Sequence, residues 1–193
     1  GDRLRRAAAI ATAWKALGVS ILITARRAAD GGAWPARQER ERRLMLLEAL
    51  AFGVDAIDLE TDLLADGAFR RAVRARLGRH GAIVASIHCF GRLPALARFS
   101  REATAAARRG ADRFKVAALV GSFDAATRLA DWALARADRN PPVTAIAMGK
   151  AGSWTRWVLP TLLGGPAYAP AGHALAPGQV SYARLTELIS ARD

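Results

Sequence analysis

The chain has 193 residues, 52% of them hydrophobic, and a formal net charge of +12. That length makes a single domain with a sizeable core, and the apolar fraction excludes an intrinsically disordered chain. The charge raises nucleic acid as a partner, but the arginines alternate with alanine along helical stretches such as "FRRAVRARLGRHG" with no nucleic-acid-binding motif beside them, so they read as solvated helix faces and no nucleic acid is expected.

The predicted elements alternate along the chain. A helix over 2–17 leads to a strand over 19–25, a helix over 35–52 to a strand over 54–60, and a helix over 67–77 to a strand over 82–86. A helix over 94–109 leads to a strand over 113–118, and a helix over 123–138 to a strand over 143–148. A helix over 154–163, a weak strand over 166–169 and a helix over 180–191 complete the chain. Gly53, Gly81, Gly110 and the Pro141-Pro142 pair mark the turns between them.

Strands that alternate with helices at intervals of about 20–35 residues form βαβ units in a parallel sheet. The strands are near-continuous apolar runs, as strands covered on both faces are. Two architectures satisfy this: an open doubly wound sheet and a closed (β/α)8 barrel. No glycine-rich phosphate fingerprint follows any strand. Polar residues instead cluster at strand ends, at Arg26, Glu60, His88, Lys115 and Met148-Gly149-Lys150. A site drawn from several strands is the barrel habit. The expected fold is therefore α/β, a (β/α)8 TIM barrel that is incomplete here, with about six β/α units over residues 1–193 as one barrel domain. Six strands against the eight of a barrel places the first residue inside the second β/α unit, so the strands present are the third to the eighth.

Cys89 is the single cysteine, which excludes an intrachain disulfide and fits a reducing, cytoplasmic setting. The apolar stretch "AAAIATAWKALGVSILITA" is interrupted by Lys15 and Gly18 and reads as helix then strand, so no membrane span is expected.

The chemistry centres on "ADRFKVAALVG". Of the 29 basic residues only Lys15, Lys115 and Lys150 are lysines, and Lys115 stands at the head of a buried strand. On a strand Phe114 and Val116 face one way and Lys115 the other. If those neighbours meet the outer helices, Lys115 points into the barrel, where desolvation and nearby arginines favour the neutral amine. A neutral amine adds to carbonyls and forms a Schiff base, which an arginine, always charged, cannot do. The alternative is a lysine that snorkels from the strand end to solvent. "AIVASIHCF" carries His88 to the end of the preceding strand, as a proton shuttle or as a structural histidine. "ILITARRAADGG" ends a strand with Arg26 and Arg27 and then turns through Asp30-Gly31-Gly32. Arg156 lies about a turn into the helix after "AIAMGKAGSW" and suits a carboxylate, held bidentately. "LAPGQV" precedes the last helix.

In order and spacing these segments resemble the type I 3-dehydroquinate dehydratases of the shikimate pathway. "ILITARRAADGG" resembles the family's strand–Arg–Glu-Gly-Gly segment, "VDAIDLE" its next strand, and "VASIHCF" its Ser-x-His-Asp-Phe segment. "ADRFKVAA" resembles the Schiff-base lysine segment, "AIAMGKAGSWTRW" the Met-Gly-x-x-Gly-x-x-Ser-Arg segment, and "APGQ" is identical to the C-terminal substrate loop. The resemblance implies a lyase that dehydrates 3-dehydroquinate with no metal or other cofactor. It implies Lys115 as the imine-forming residue, His88 as proton shuttle and Asp30 as the carboxylate paired with the histidine. Arg156 would hold the substrate carboxylate, Arg26 and Gln179 would line the pocket, and Met148, Tyr168 and Ala176 would wall it. A homodimer is the assembly the family suggests. The chain departs from the pattern at Asp30 (glutamate in the family), Cys89 (aspartate) and Leu175 (serine). These departures keep a second reading open, a dehydratase-like binding or regulatory protein with impaired turnover. A different Schiff-base lyase or aldolase on the same barrel is a third.

Overall fold

A computed structural model describes residues 2–174 and 176–190, with the side chains of residues 2–4 excepted. Leu175 and the end of the predicted last helix lie outside the described residues. Helix α1 (Asp2–Ala16) precedes β1 (Leu22–Ile23), α2 (Glu39–Ala49), β2 (Ala56–Glu60), α3 (Thr61–Ala65) and α4 (Gly67–Leu77). There follow β3 (Ala82–Cys89), α5 (Leu96–Arg108), β4 (Arg113–Leu119), α6 (Phe123–Leu134), β5 (Val143–Met148), α7 (Thr155–Leu163) and α8 (Tyr182–Ser190).

The five strands form one sheet in the order β1-β2-β3-β4-β5, each parallel to the next. A doubly wound sheet reverses its strand order at a switch point. Here the order never reverses, so the chain winds in one sense throughout, as a barrel wall does. Of the two architectures left open by the sequence, this one is realised.

The period of two along each strand sorts the side chains into two environments. Ile57 and Leu59, Ile83, Ala85 and Ile87, Phe114, Val116 and Ala118, and Val143, Ala145 and Ala147 all join one large core. They meet Leu46 of α2, Phe69 and Val73 of α4, Phe99 and Ala103 of α5, and Leu129 of α6 in that same core. The alternate positions form the opposite face: Asp58 and Glu60, Ser86 and His88, Lys115 and Ala117, Ile146 and Met148. Its apolar part is a separate small cluster of Ala117, Ile146 and Met148, with Tyr168 and Ala176 packed against it. Lys115 therefore points away from the helices, as the alternation around it predicts.

Several boundaries differ from the sequence reading. The predicted strand 19–25 keeps only Leu22–Ile23 in the ladder, paired with Ala56 and Ile57. As the edge of the described sheet it has a partner on one side only, and Val19 and Leu22 are exposed. The predicted strand 82–86 extends to Cys89, because β4 offers partners as far as His88↔Ala117 and Cys89↔Ala118. Residues 166–169 form no strand. Pro166 and Pro170 bracket that segment and cannot donate to a ladder. The predicted helix 35–52 is α2 flanked by two short 3-10 turns, Ala36–Gln38 and Leu50–Phe52. The short helix α3, directly after β2, is an addition to the predicted elements.

Candidate active site

The polar face of the sheet opens at the C-terminal ends of the strands onto a pocket of about 160 Å³. All nine residues singled out from the sequence line it: Arg26, Asp30, His88, Lys115, Met148, Arg156, Tyr168, Ala176 and Gln179. They come from strands β3, β4 and β5, the segment after β1, helix α7 and two loops, so only the fold brings them together. Phe90 and Gly31 also line the pocket.

Lys115 is 9% exposed, and its Nζ donates to Asp58 Oδ2 at 3.0 Å. The Tyr168 ring covers the same nitrogen, with its centroid 4.4 Å away. Asp58 is a site residue that the sequence reading passed over. Its other oxygen, Oδ1, accepts from Arg26 Nη2 at 2.6 Å and from Ser86 Oγ at 2.6 Å. Burial works against the charge on Asp58, yet Lys115 and Arg26 outweigh it and hold the carboxyl below its ordinary range.

Behind Arg26 stands a second buried carboxylate. Glu60 Oε1 lies 3.1 Å from Arg26 Nη1, out of line for a hydrogen bond, and Oε2 accepts from Arg42 Nη1 at 3.0 Å. Arg42 is 1% exposed and also donates to the Ala25 carbonyl at 2.6 Å and to Glu39 at 2.8 and 2.9 Å. The chain of charges Glu39–Arg42–Glu60–Arg26–Asp58–Lys115 thus runs from the surface of α2 to the amine in the pocket. Such a set is tolerated in a core only because each charge meets an opposite one.

His88 sits two residues beyond Ser86 on the same face of β3. Burial, with Arg26 and Lys115 adding to it, pushes its pKa down to about 3, so the imidazole is neutral at neutral pH. Its Nδ1 is buried without a hydrogen-bond partner. The resemblance expects Asp30 to pair with this ring. Asp30 does line the pocket, but its carboxylate accepts from Arg27 Nε at 2.8 Å, and Arg27 in turn holds Asp62 at 2.6 Å. The turn that carries Asp30 needs its glycines. A Cβ on Gly32 would fall 2.0 Å from the Arg26 carbonyl oxygen. Cys89, where the family has aspartate, is half-buried, and burial pushes its thiol up.

On the far wall, Arg156 of α7 is 3% exposed and donates through Nη2 to the Pro177 carbonyl at 2.8 Å. Its Nε is buried without a partner, and burial pulls its pKa below the ordinary arginine value. Among the described residues no carboxylate pairs with it. The 176–179 loop closes beside it: the Ala176 amide donates to Gln179 Oε1 at 3.0 Å, and the Gly149 amide donates to the Pro177 carbonyl at 3.2 Å. Burial and Asp58 push the Tyr168 phenol up to about 12, which keeps it neutral.

This pocket combines an amine on the inner face of a barrel-type strand, a neutral imidazole and a buried guanidinium without an anion among the described residues. That set suits a small ketone that carries a carboxylate. Comparison with known proteins agrees. The family model for type I 3-dehydroquinase matches residues 3–193. The 3-dehydroquinate dehydratase of Methanosarcina mazei is 33% identical over 168 residues, which span 84% of this chain and 68% of that protein. The crystal structure of 3-dehydroquinate dehydratase from Geobacillus kaustophilus matches with a TM-score of 0.81 at 26% identity, covering 98% of this chain and 75% of that one. The enzyme from Aquifex aeolicus, at 20% identity and a TM-score of 0.73 over 92% of this chain and 76% of its own, shares the fold.

Proposed function

Because this chain belongs to the type I 3-dehydroquinase family, we propose that it dehydrates 3-dehydroquinate to 3-dehydroshikimate through an imine at Lys115, as a cytoplasmic enzyme of aromatic amino acid biosynthesis. No helix among the described residues is long and apolar enough to cross a membrane. The observation that carries the reading is the placement of Lys115 Nζ, on the pocket face of β4, in one cavity with His88 and Arg156.

In this reading Arg156 holds the substrate carboxylate and sets the ring over Lys115. The neutral amine adds to the C3 carbonyl, and loss of water leaves a protonated imine. His88, neutral because it is buried beside two cations, removes the C2 proton. The C2–H electron pair moves into the imine and gives an enamine. Its return expels the C1 hydroxyl, which takes the proton from His88 and leaves as water. Hydrolysis of the remaining imine consumes the water released when it formed and frees Lys115, so the net change is loss of one water. Met148, Tyr168 and Ala176 shape the apolar wall, while Arg26 and Gln179 contribute polar contacts.

Borohydride reduction in the presence of 3-dehydroquinate should leave a stable adduct on Lys115, and Lys115→Ala should lose both adduct and turnover. A folded protein that turns over 3-dehydroquinate without forming the adduct overturns the imine route. One observation favours a second reading, a dehydratase-like binding protein: Asp30 is engaged by Arg27 and leaves His88 Nδ1 alone. That reading expects 3-dehydroquinate to raise the melting temperature with no new enone absorbance.

A further inference from the structure

The imine route asks two opposite things of Lys115. The amine must shed a proton to attack, and the imine nitrogen must then carry one, because only a protonated imine withdraws electrons strongly enough to acidify the adjacent carbon. An imine nitrogen is a weaker base than the amine from which it forms, and burial disfavours the cation further. The second demand therefore needs an anion at the nitrogen.

We propose that Asp58 is that anion, the counter-ion of the protonated imine at Lys115, and a further catalytic residue of the site. The inference rests on the imine chemistry proposed above. Asp58 Oδ2 is 3.0 Å from Nζ, at the end of a carboxylate that is 1% exposed. The carboxylate reaches this place from β2, two strands away, across Ser86 of β3. Its other oxygen is held by Arg26 and Ser86, both at 2.6 Å, so Oδ2 is kept for Lys115. The Arg26 bond has a second consequence. When Lys115 is neutral, Asp58 still has a cationic partner and stays ionised in the core. When the imine forms protonated, the second pair forms again with no movement of the carboxylate. Arg26, bridged behind to Glu60 and Arg42, keeps the carboxylate in place through the cycle.

Asp58 thus opposes the first half of the reaction and assists the second, which sets its effect apart from that of a merely structural residue. In Asp58→Asn, imine formation should persist while C2 deprotonation slows. Turnover should fall about tenfold or more, in line with the weight of an opposite charge at this distance. Borohydride quenching during turnover, read by mass spectrometry, distinguishes the substrate-derived adduct from the product-derived adduct, which is lighter by one water. The variant should accumulate the substrate-derived form relative to wild type. Unchanged turnover and unchanged adduct ratio overturn the proposal. So does a folded variant that forms no adduct, because Asp58 would then serve to deliver the amine. If wild type itself gives no adduct, the imine reading fails and not this refinement of it. A measurement on wild type needs no variant: a 3-dehydroquinate analogue lacking the C1 hydroxyl stalls the imine, and its C=N Raman band should shift in D2O at neutral pH, as that of a protonated imine does. A band insensitive to D2O overturns the proposal.

Discussion

Acidification should destabilise this fold through His88. Burial and the charges of Arg26 and Lys115 hold its folded pKa at about 3, against 6.5 for the free side chain. The unfolded chain therefore takes up a proton below 6.5 that the folded chain refuses until about 3. Protons bound preferentially by the unfolded state make stability rise with pH. The full stability is present above 6.5, is lost progressively as the pH falls, and the loss levels off near 3. Each unit within that window costs about 1.4 kcal/mol. Moving from pH 7 to pH 5 covers the upper part of the window and costs about 2 kcal/mol.

Urea unfolding at these two pH values, on wild type and on His88→Gln, isolates the effect. Glutamine keeps a polar side chain of similar reach and does not titrate. Glu39 and Asp58, whose carboxyls are held low, also lose their contribution as the pH falls, but below this interval and equally in both proteins. Wild type should lose about 2 kcal/mol more than the variant between pH 7 and pH 5. Equal losses in the two proteins would show that the imidazole takes up a proton as readily in the fold as in the unfolded chain, so that burial beside Arg26 and Lys115 does not hold its pKa down.

Two further substitutions test the scaffold around the pocket. Arg42→Met removes the one donor set that joins Glu39, Glu60 and the Ala25 carbonyl, and leaving the buried Glu60 with Arg26 as its remaining close cation should cost about 1–3 kcal/mol, read as a lowered thermal midpoint. Gly178 has φ +73°, and a Cβ there would fall 2.5 Å from the Gly149 carbonyl oxygen, so Gly178→Ala must displace the loop that bears Gln179 and Ala176. Its steady-state kinetics should show KM raised more than kcat is lowered; an unchanged KM would mean that this loop does not shape the substrate site.

The strand period made Lys115 legible: with Phe114 and Val116 on its flanks, the lysine had to face away from the helices. The same rule applied to "AIDLE" would have turned Asp58 and Glu60 inward, since Ile57 and Leu59 alternate with them. Glu60 is legible as a polar strand end, but Asp58 is hidden between Ile57 and Leu59 in a segment that reads as an apolar strand. Arg42 was illegible for another reason. It sits in "RQERERRLML", where every charge resembles a solvated one, and only the packing of α2 against the strand ends singles it out. The shortened β1 depends on which edges find partners, which no local pattern encodes, whereas Pro166 and Pro170 are a local signal against a strand over 166–169.

The charges around the pocket also explain why one lysine stands among so many arginines. Arg26 and Arg42 neutralise Glu60 and half of Asp58, and that task suits a guanidinium, which never releases its proton. Lys115 shares Asp58 and is the member of the set able to alternate between ammonium and amine. Arg156 is left over: buried, bonded to a carbonyl and paired with no carboxylate among the described residues. Burying a cation without an opposite charge is costly, and a ligand carboxylate at Arg156 would offset that cost. Stabilisation by ligand should then follow the carboxylate more than the ring. An anion-bearing analogue without a ketone should raise the melting temperature, whereas a ketone without the carboxylate should raise it little.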